Sequence, residues 1–340
     1  MATAVAEQAR LETRGRLRPI DPARDLHAIA NLIGDAFASD LDAQGRAALR
    51  ELRWMARLWP LVWWWSQADP GFRESLSGFV WEAPSPTGKR WQVVGNVNLN
   101  PVPGNRQRYI LCNIVVQEAH RGQGIGRRLT EAAMAEAQEL GAKGVILQVH
   151  QDNLPALQLY TKLGFTEASG ETEFRLEAPY PVLVVDAPGY RFCPWRWSDG
   201  PSVYRLVRLA VPAVEQWIRP VKEEKYQGRW STRFEEWIAG VVSGYRTYRF
   251  TAFWDSELAA VMTVAVALRR GGHRFSLLVH PHHAGQVEAA LISRALSMVS
   301  VLPPKPVLIT VNKAHAAAFH VLRSYGFLEQ RTLLTLWRDF

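Results

Sequence analysis

Between an apolar run, Tyr109–Val116, and a long helical pattern lies His120-Arg121-Gly122-Gln123-Gly124-Ile125-Gly126-Arg127-Arg128-Leu129. Strand, glycine loop and helix in that order constrain the chain more than any other feature. Three glycines let the backbone turn tightly and approach a ligand with no Cβ in the way. The helix start behind them presents unpaired N–H groups and the positive end of the helix dipole, which suits a phosphate. Arg121, Arg127 and Arg128 add charge of the right sign. A P-loop would end in Gly-Lys-Ser/Thr, which is absent, and a dinucleotide fingerprint would read G-x-G-x-x-G early in a βαβ unit, whereas the spacing here is G-x-G-x-G. The plain alternative is a glycine-rich turn ahead of a helix.

A second segment narrows the choice. The strand candidate Val145–Val149 precedes Asn153-Leu154-Pro155-Ala156-Leu157-Gln158-Leu159-Tyr160-Thr161-Lys162-Leu163-Gly164-Phe165. Asn153 is a natural N-cap, Pro155 is tolerated in a first helical turn, and Gly164 is a natural stop. Asn153, Ala156, Leu157 and Tyr160 recur at helical spacing and share a face. Tyr160 alone reads equally well as a half-buried core aromatic.

Together the two segments resemble the GNAT N-acetyltransferase superfamily. Arg121, Gly124 and Gly126 fill its R/Q-x-x-G-x-G/A loop, and Asn153–Phe165 fills N-x-x-A-x-x-L-Y-x-x-x-G-F. The resemblance implies a mixed α/β fold with acetyl-CoA as cosubstrate. Its pyrophosphate would lie on Arg121, Gly122, Gln123, Gly124, Ile125, Gly126 and Arg127. Its pantetheine arm would enter a gap beside the splayed strand at Ile114, Val115 and Val116, near Asn153 and Ala156. Tyr160 would sit by the thioester sulfur as general acid, and backbone N–H groups near Val115 and Val116 would stabilise the oxyanion. Many relatives carry acidic residues eight or nine positions before the motif arginine; here those positions are Cys112 and Asn113. Asn113 is a candidate to orient the acceptor or a water, and Glu82 and His150 are candidate bases. An exposed strand carboxylate and a loop histidine are the plain readings of the last two, and a water chain needs no base at all.

At 340 residues the chain exceeds one ordinary domain. The second half repeats the first. Tyr325-Gly326-Phe327 echoes Leu163-Gly164-Phe165 at an offset of 162 residues, and Phe275–Val279 ahead of Pro281–Gln286 echoes the strand before the glycine loop at 163. The chemistry has not been repeated: Ala284, Val287 and Ala289 stand where Arg121, Gly124 and Gly126 do, His315 aligns with Asn153, and Leu322 aligns with Tyr160. We therefore expect two tandem GNAT folds: a catalytic domain over 1–178, a proline-rich connector over 179–189, and a degenerate domain over 190–340 that is structural or shapes the acceptor site. The layout also resembles mycothiol synthase-like tandem acetyltransferases.

Composition bounds the rest. Apolar residues make up 48% of the chain, enough for real cores. The net charge of +8 is spread over both halves rather than gathered in a stripe, so we expect no nucleic-acid partner. Cys112 and Cys193 are not closely spaced and suggest neither a disulfide nor a metal framework. His280, His282 and His283 cluster without a carboxylate or cysteine nearby in sequence, so no metal is expected and polar loop histidines are the reading. No run approaches the ~18 apolar residues of a membrane span, and we expect a cytoplasmic protein. Trp54, Trp59, Trp63, Trp64 and Trp65 crowd the region of the opening helices, either as packed core or as an acceptor pocket. The function expected is acetyl transfer to the amine of a small molecule. The alternative is a non-catalytic acyl-CoA-binding or interaction module. Acceptor, acyl length and oligomeric state stay open.

Overall fold

Contacts group the chain into two units, and not by the cut at residue 178 that the connector predicts. The first unit takes residues up to Gln148, then Pro155–Thr166 and Leu336–Phe340; the second takes Val149–Leu154 and Glu167–Thr335. The computed structural model describes residues 15–36, 43–57, 77–85, 90–218, 220–221, 223–226, 244–269 and 271–340.

The first unit opens with β1 (Arg16–Pro19), α1 (Pro22–Ala36), α2 (Ala43–Arg57), β2 (Gly78–Pro84), β3 (Trp91–Val102) and β4 (Asn105–Val116). After the glycine loop come α3 (Ile125–Glu139), β5 (Gly144–His150) and α4 (Leu154–Lys162). β1 to β4 pair antiparallel in chain order, and β4 pairs parallel with β5. Ile125, Leu129, Ala133 and Ala137 recur every fourth residue of α3, and this stripe is buried. Ile29, Ile33, Leu49 and Val80 join α1 and α2 to β2 in a second cluster. The helix predicted from Arg121 begins only at Ile125, because Gly122 and Gly124 take φ of 74° and 76°, outside any right-handed helix.

β6 (Thr166–Leu176), β7 (Tyr190–Pro194), α5 (Gly200–Ala210), α6 (Ala213–Ile218), β8 (Tyr245–Trp254), β9 (Glu257–Ala267) and β10 (His273–Val279) follow. α7 (Glu288–Ser300), β11 (Val307–Asn312), α8 (Ala316–Ser324) and β12 (Leu328–Asp339) complete the chain. In the second unit β7, β8, β9 and β10 are antiparallel neighbours, β10 runs parallel to β11, and β11 pairs antiparallel with Glu171–Leu176 of β6. Phe174, Met262, Leu291, Ile309, Leu322 and Phe327 centre its core. The Asp255-Ser256 turn joins β8 to β9 as a hairpin, with Asp255 at φ 50°. Trp230–Val241, whose apolar spacing predicts a helix, lies outside the described residues. Val182–Val185 forms no strand; Val185 N–H donates instead to Ser293 Oγ at 3.0 Å.

The elements reproduce the duplication, since β5, α3 and α4 recur as β11, α7 and α8 at offsets of 162–163 residues. The last strand of each repeat accounts for this division. β6 and β12 are equivalent, yet most of β6 belongs to the second unit and Leu336–Phe340 of β12 belongs to the first. In the first unit Phe340 N–H donates to the Lys143 carbonyl at 3.0 Å, Leu336 is 4% exposed, and the Arg338 guanidinium donates to the Leu163 carbonyl. A Cβ on Gly144 would collide with the Trp337 ring and the Arg338 carbonyl, so only glycine admits that contact.

The first unit therefore needs the last five residues of the chain. Removing Leu336–Phe340 should cost roughly 2–5 kcal/mol, as truncating one buried leucine does, and a 1–178 fragment should fail to fold cooperatively. Thermal unfolding of 1–335 beside the full chain checks this; equal midpoints would contradict it.

Candidate active site

The site grows from one irregularity in β4. Its antiparallel register with β3 slips between Asn96 and Asn98, and Asn113 opposite adopts φ 51°. Asparagine tolerates the left-handed region better than most side chains. Two neighbours hold it there. Asn96 Nδ2 donates to the Asn113 carbonyl at 3.1 Å and to Asn98 Oδ1 at 3.0 Å, and Asn113 Nδ2 donates to Asn98 Oδ1 at 3.1 Å. The amide expected to orient an acceptor is thus engaged in holding the bulge. The pairing of β4 with β5 stops at Leu111 and Leu147, although β4 runs on to Val116 and β5 to His150. Ile114, Val115 and Val116 lie past the last paired residues, as the splayed strand requires.

The cradle follows. Gly124 caps α3 in the left-handed conformation, and no atom lies within 4 Å of where a Cβ would stand on Gly122 or Gly124. That space is open to a ligand, and the first N–H groups of α3, from Ile125, Gly126 and Arg127, border it. Arg121 Nε donates to the Val116 carbonyl at 3.2 Å, tying loop to strand. Arg127 pairs with Glu131 at 2.8 Å on the exposed helix face, and Gln123 is exposed. A Cβ on Gly126 would meet Leu159 at 3.6 Å and Val116 at 3.8 Å, so β4, α3 and α4 converge here.

Tyr160 follows Leu159 on α4. It is 5% exposed, its ring meets Phe165 edge-on with centroids 5.8 Å apart, and burial pushes its phenol well above the usual range. It is neutral and protonated near pH 7, the form an acid needs. Burial likewise pushes the Cys112 thiol up to about 12, and Asn100 Nδ2 donates to its sulfur at 3.3 Å, so no thiolate nucleophile stands at the bulge. A groove of ≈ 690 Å³ lies between α1 and the end of β4, lined by Asn31 and Asp35 of α1, Val93, Val115, Val116, Glu118 and Arg121 among others.

Glu82 is corrected by the structure. It is 1% exposed and bound by Arg16 and Arg18, each at 2.8 Å, and by Arg24. The Arg18 hydrogen bond leads in holding its carboxyl down to about 2 against the opposing effect of burial, which makes it a poor base. His150 and Asn153 belong to the segment grouped with the second unit, and neither is among the groove-lining residues. Ala156 is half-buried on α4. Trp54 is 58% exposed on α2 and no core residue; Trp59, Trp63, Trp64 and Trp65 lie outside the described residues. The Asn96–Asn98 pair was missed in the sequence, although asparagine at every second residue of 96–100 signals one polar face of a strand.

The second unit has the same framework without the cradle. β10 keeps a regular register with β9 and has no bulge. Gly285 retains φ 88°, but Val287 stands in the right-handed region at φ −118°. The Glu288 carboxylate takes the loop amides: it accepts from Gly285 N–H at 2.8 Å and Val287 N–H at 3.1 Å, and meets His315 Nε2 at 2.7 Å. Burial works to raise its pKa, but the His315 and Gly285 hydrogen bonds prevail and keep it low. An anion supplied by the chain fills this loop.

Residues 46–165 match the model of the Acetyltransferase (GNAT) family. Residues 46–165 thus carry a GNAT acetyltransferase domain, and the second unit repeats its order of elements. It is 30% identical to the mycothiol acetyltransferase of Thermomonospora curvata over 48% of each chain, and 38% identical to that of Jonesia denitrificans over 46% of this chain and 45% of the relative. The chain thus spans about half the length of these relatives or less, reaching 34% of the Catenulispora acidiphila mycothiol acetyltransferase. A tandem GNAT protein from the clavulanic acid biosynthesis pathway superposes with TM-score 0.55 at 17% identity, over 96% of this chain and 98% of that one. A GCN5-related N-acetyltransferase from Sphaerobacter thermophilus gives 0.58 at 17% identity, over 96% of both. These two likenesses establish the fold.

Two outcomes follow from this geometry. Gly124→Val should weaken acetyl-CoA binding roughly tenfold or more, because a β-branched residue resists positive φ and fills the open cradle; unchanged affinity by calorimetry would place the pyrophosphate elsewhere. Glu82 is depressed from 4.5 to about 2, so its contribution to stability is full above pH 4.5 and is lost as pH falls through about 2. Glu82→Gln should be less stable than the wild type at pH 7, with the gap narrowing towards pH 2.5. Urea titrations at both values read it, and a constant gap would contradict the ion cluster.

Proposed function

We propose that the chain is an acetyl-CoA-dependent N-acetyltransferase whose first unit transfers acetyl directly to the amine of a small molecule. The observation that carries this reading is the coincidence, on one unit, of a bulged and splayed β4, an open glycine cradle and a buried, protonated Tyr160. Acetyl-CoA serves as substrate, its pyrophosphate on the amides from Gly122 to Arg127. The acceptor enters the groove beside α1, where Asp35 and Glu118 favour a cationic amine. After loss of a proton to water or a groove carboxylate, the amine nitrogen attacks the thioester carbonyl carbon. Backbone N–H groups near Val115 and Val116 stabilise the charge on its oxygen. The carbon–sulfur bond breaks as the carbonyl re-forms, sulfur takes the Tyr160 proton, the nitrogen releases its second proton to solvent, and solvent reprotonates Tyr160.

The relatives named mycothiol acetyltransferase make the acceptor of that reaction the first to try. A free-thiol assay over a panel of amines tests the activity; binding of acetyl-CoA without turnover of any amine would favour the non-catalytic module. Tyr160→Phe keeps the ring and deletes the proton. It should lower kcat by about 10²–10⁴ with little change in acetyl-CoA affinity, and a kcat within about twofold of wild type would end the general-acid role.

A further inference from the structure

The histidine cluster of the second unit acquires in three dimensions the carboxylate it lacks in sequence. Glu257 opens β9 directly after the Asp255-Ser256 turn, and His280 to His283 form the turn that leaves β10. The antiparallel pairing of β9 with β10 brings these ends together: His280 N–H donates to the Ala259 carbonyl at 2.8 Å. His280 Nε2 lies 3.6 Å from Glu257 Oε1, and His283 Nε2 lies 3.8 Å from Oε2. The ligating atoms of all three residues fall within 4.8 Å of one another.

The hydrogen bonds fix which nitrogen of His283 carries its proton. Gln286 Nε2 donates to the His282 carbonyl at 3.3 Å, which leaves Gln286 Oε1 to accept from the Tyr190 hydroxyl at 2.8 Å. The single Tyr190 proton is thereby used. The 2.8 Å contact between Tyr190 Oη and His283 Nδ1 must then be donated by the ring. His283 Nε2 is left as a lone pair. It is buried, it has no hydrogen-bond partner, and it faces a carboxylate oxygen that is also an acceptor. With the ring neutral, two lone pairs face each other at that separation, an arrangement that a bound cation satisfies.

We propose that Glu257, His280 and His283 bind a divalent transition-metal ion of the zinc class. Two imidazole nitrogens and one carboxylate suit such an ion, and they leave a coordination position for water on the exposed side of Glu257. Metal–ligand bonds near 2.0–2.2 Å set tetrahedral ligands roughly 3.3–3.5 Å apart, so the two Glu257 separations close with shifts of a few tenths of an ångström, while the two histidine nitrogens, within 4.8 Å of each other, close by up to a little over an ångström. Tyr190 supplies the outer partner that orients a ligating imidazole. His280 Nδ1 accepts the His282 amide at 3.2 Å, so its ring proton moves from Nε2 to Nδ1 on ligation and that long contact is given up. The ion clips the β8–β9 turn to the loop which, in the first unit, leads into the cradle.

Zinc chloride titrated into the full chain by calorimetry in chelator-free buffer tests the site. The expected result is one ion per chain with a micromolar or tighter Kd. His283→Ala should abolish binding, and Glu257→Gln should weaken it at least about tenfold. Tyr190→Phe should weaken it about tenfold, while His282→Ala should leave it unchanged. Glu257 is mostly exposed, so its variant folds even if His283→Ala does not; circular dichroism of each variant checks this. Absence of zinc binding, or binding that survives Glu257→Gln and is lost with His282→Ala, would overturn the proposal.

Discussion

The first unit depends on the bulge in β4. The strand keeps its antiparallel register with β3 on either side of the slip between Asn96 and Asn98. Asn113 in the left-handed region breaks that register, and the Asn96 and Asn98 amides hold the break. Pairing with the parallel neighbour ends early in both units, at Leu111 and Leu147 in the first and at Phe275 and Ile309 in the second, so the bulge and the glycine loop are what set the first unit apart. Tyr160 arrives beside it because α4 packs Leu159 under Gly126. The bulged strand, the glycine loop and α4 thus converge at Gly126, where Val116 and Leu159 both approach.

The second unit shows what remains when that irregularity is absent. Its strands and helices follow the same order and its core is extensive. Its β10 is regular, its loop holds Val287, and its own Glu288 carboxylate takes the amides that a phosphate would use. Burial of apolar faces keeps the fold, while nothing in that burial keeps a ligand site. Leu322 in place of Tyr160 fits the same account: the helix needs an apolar residue there, and only the chemistry needs a hydroxyl.

Much of this was legible in the sequence because it is local. The glycine loop, the helix of Tyr160 and the repeat offset depend on residues close together in the chain, and periodicity reports them. What failed depends on partners distant in sequence. Glu82 reads as a free strand carboxylate until Arg16, Arg18 and Arg24 are placed around it. The histidine turn reads as lacking a carboxylate until β9 brings Glu257 to it. The boundary at 178 follows from the prolines of the connector, but no local pattern tells that Leu336–Phe340 completes the first unit or that most of β6 belongs to the second.

The central claim is that one unit of this chain holds an acyl-CoA cradle and the other has closed it with its own carboxylate. The stoichiometry of acetyl-CoA on the full chain, measured by calorimetry, tests it most directly. The account predicts a single site per chain. Two equivalent sites would contradict the reading of the second unit, and none would contradict that of the first.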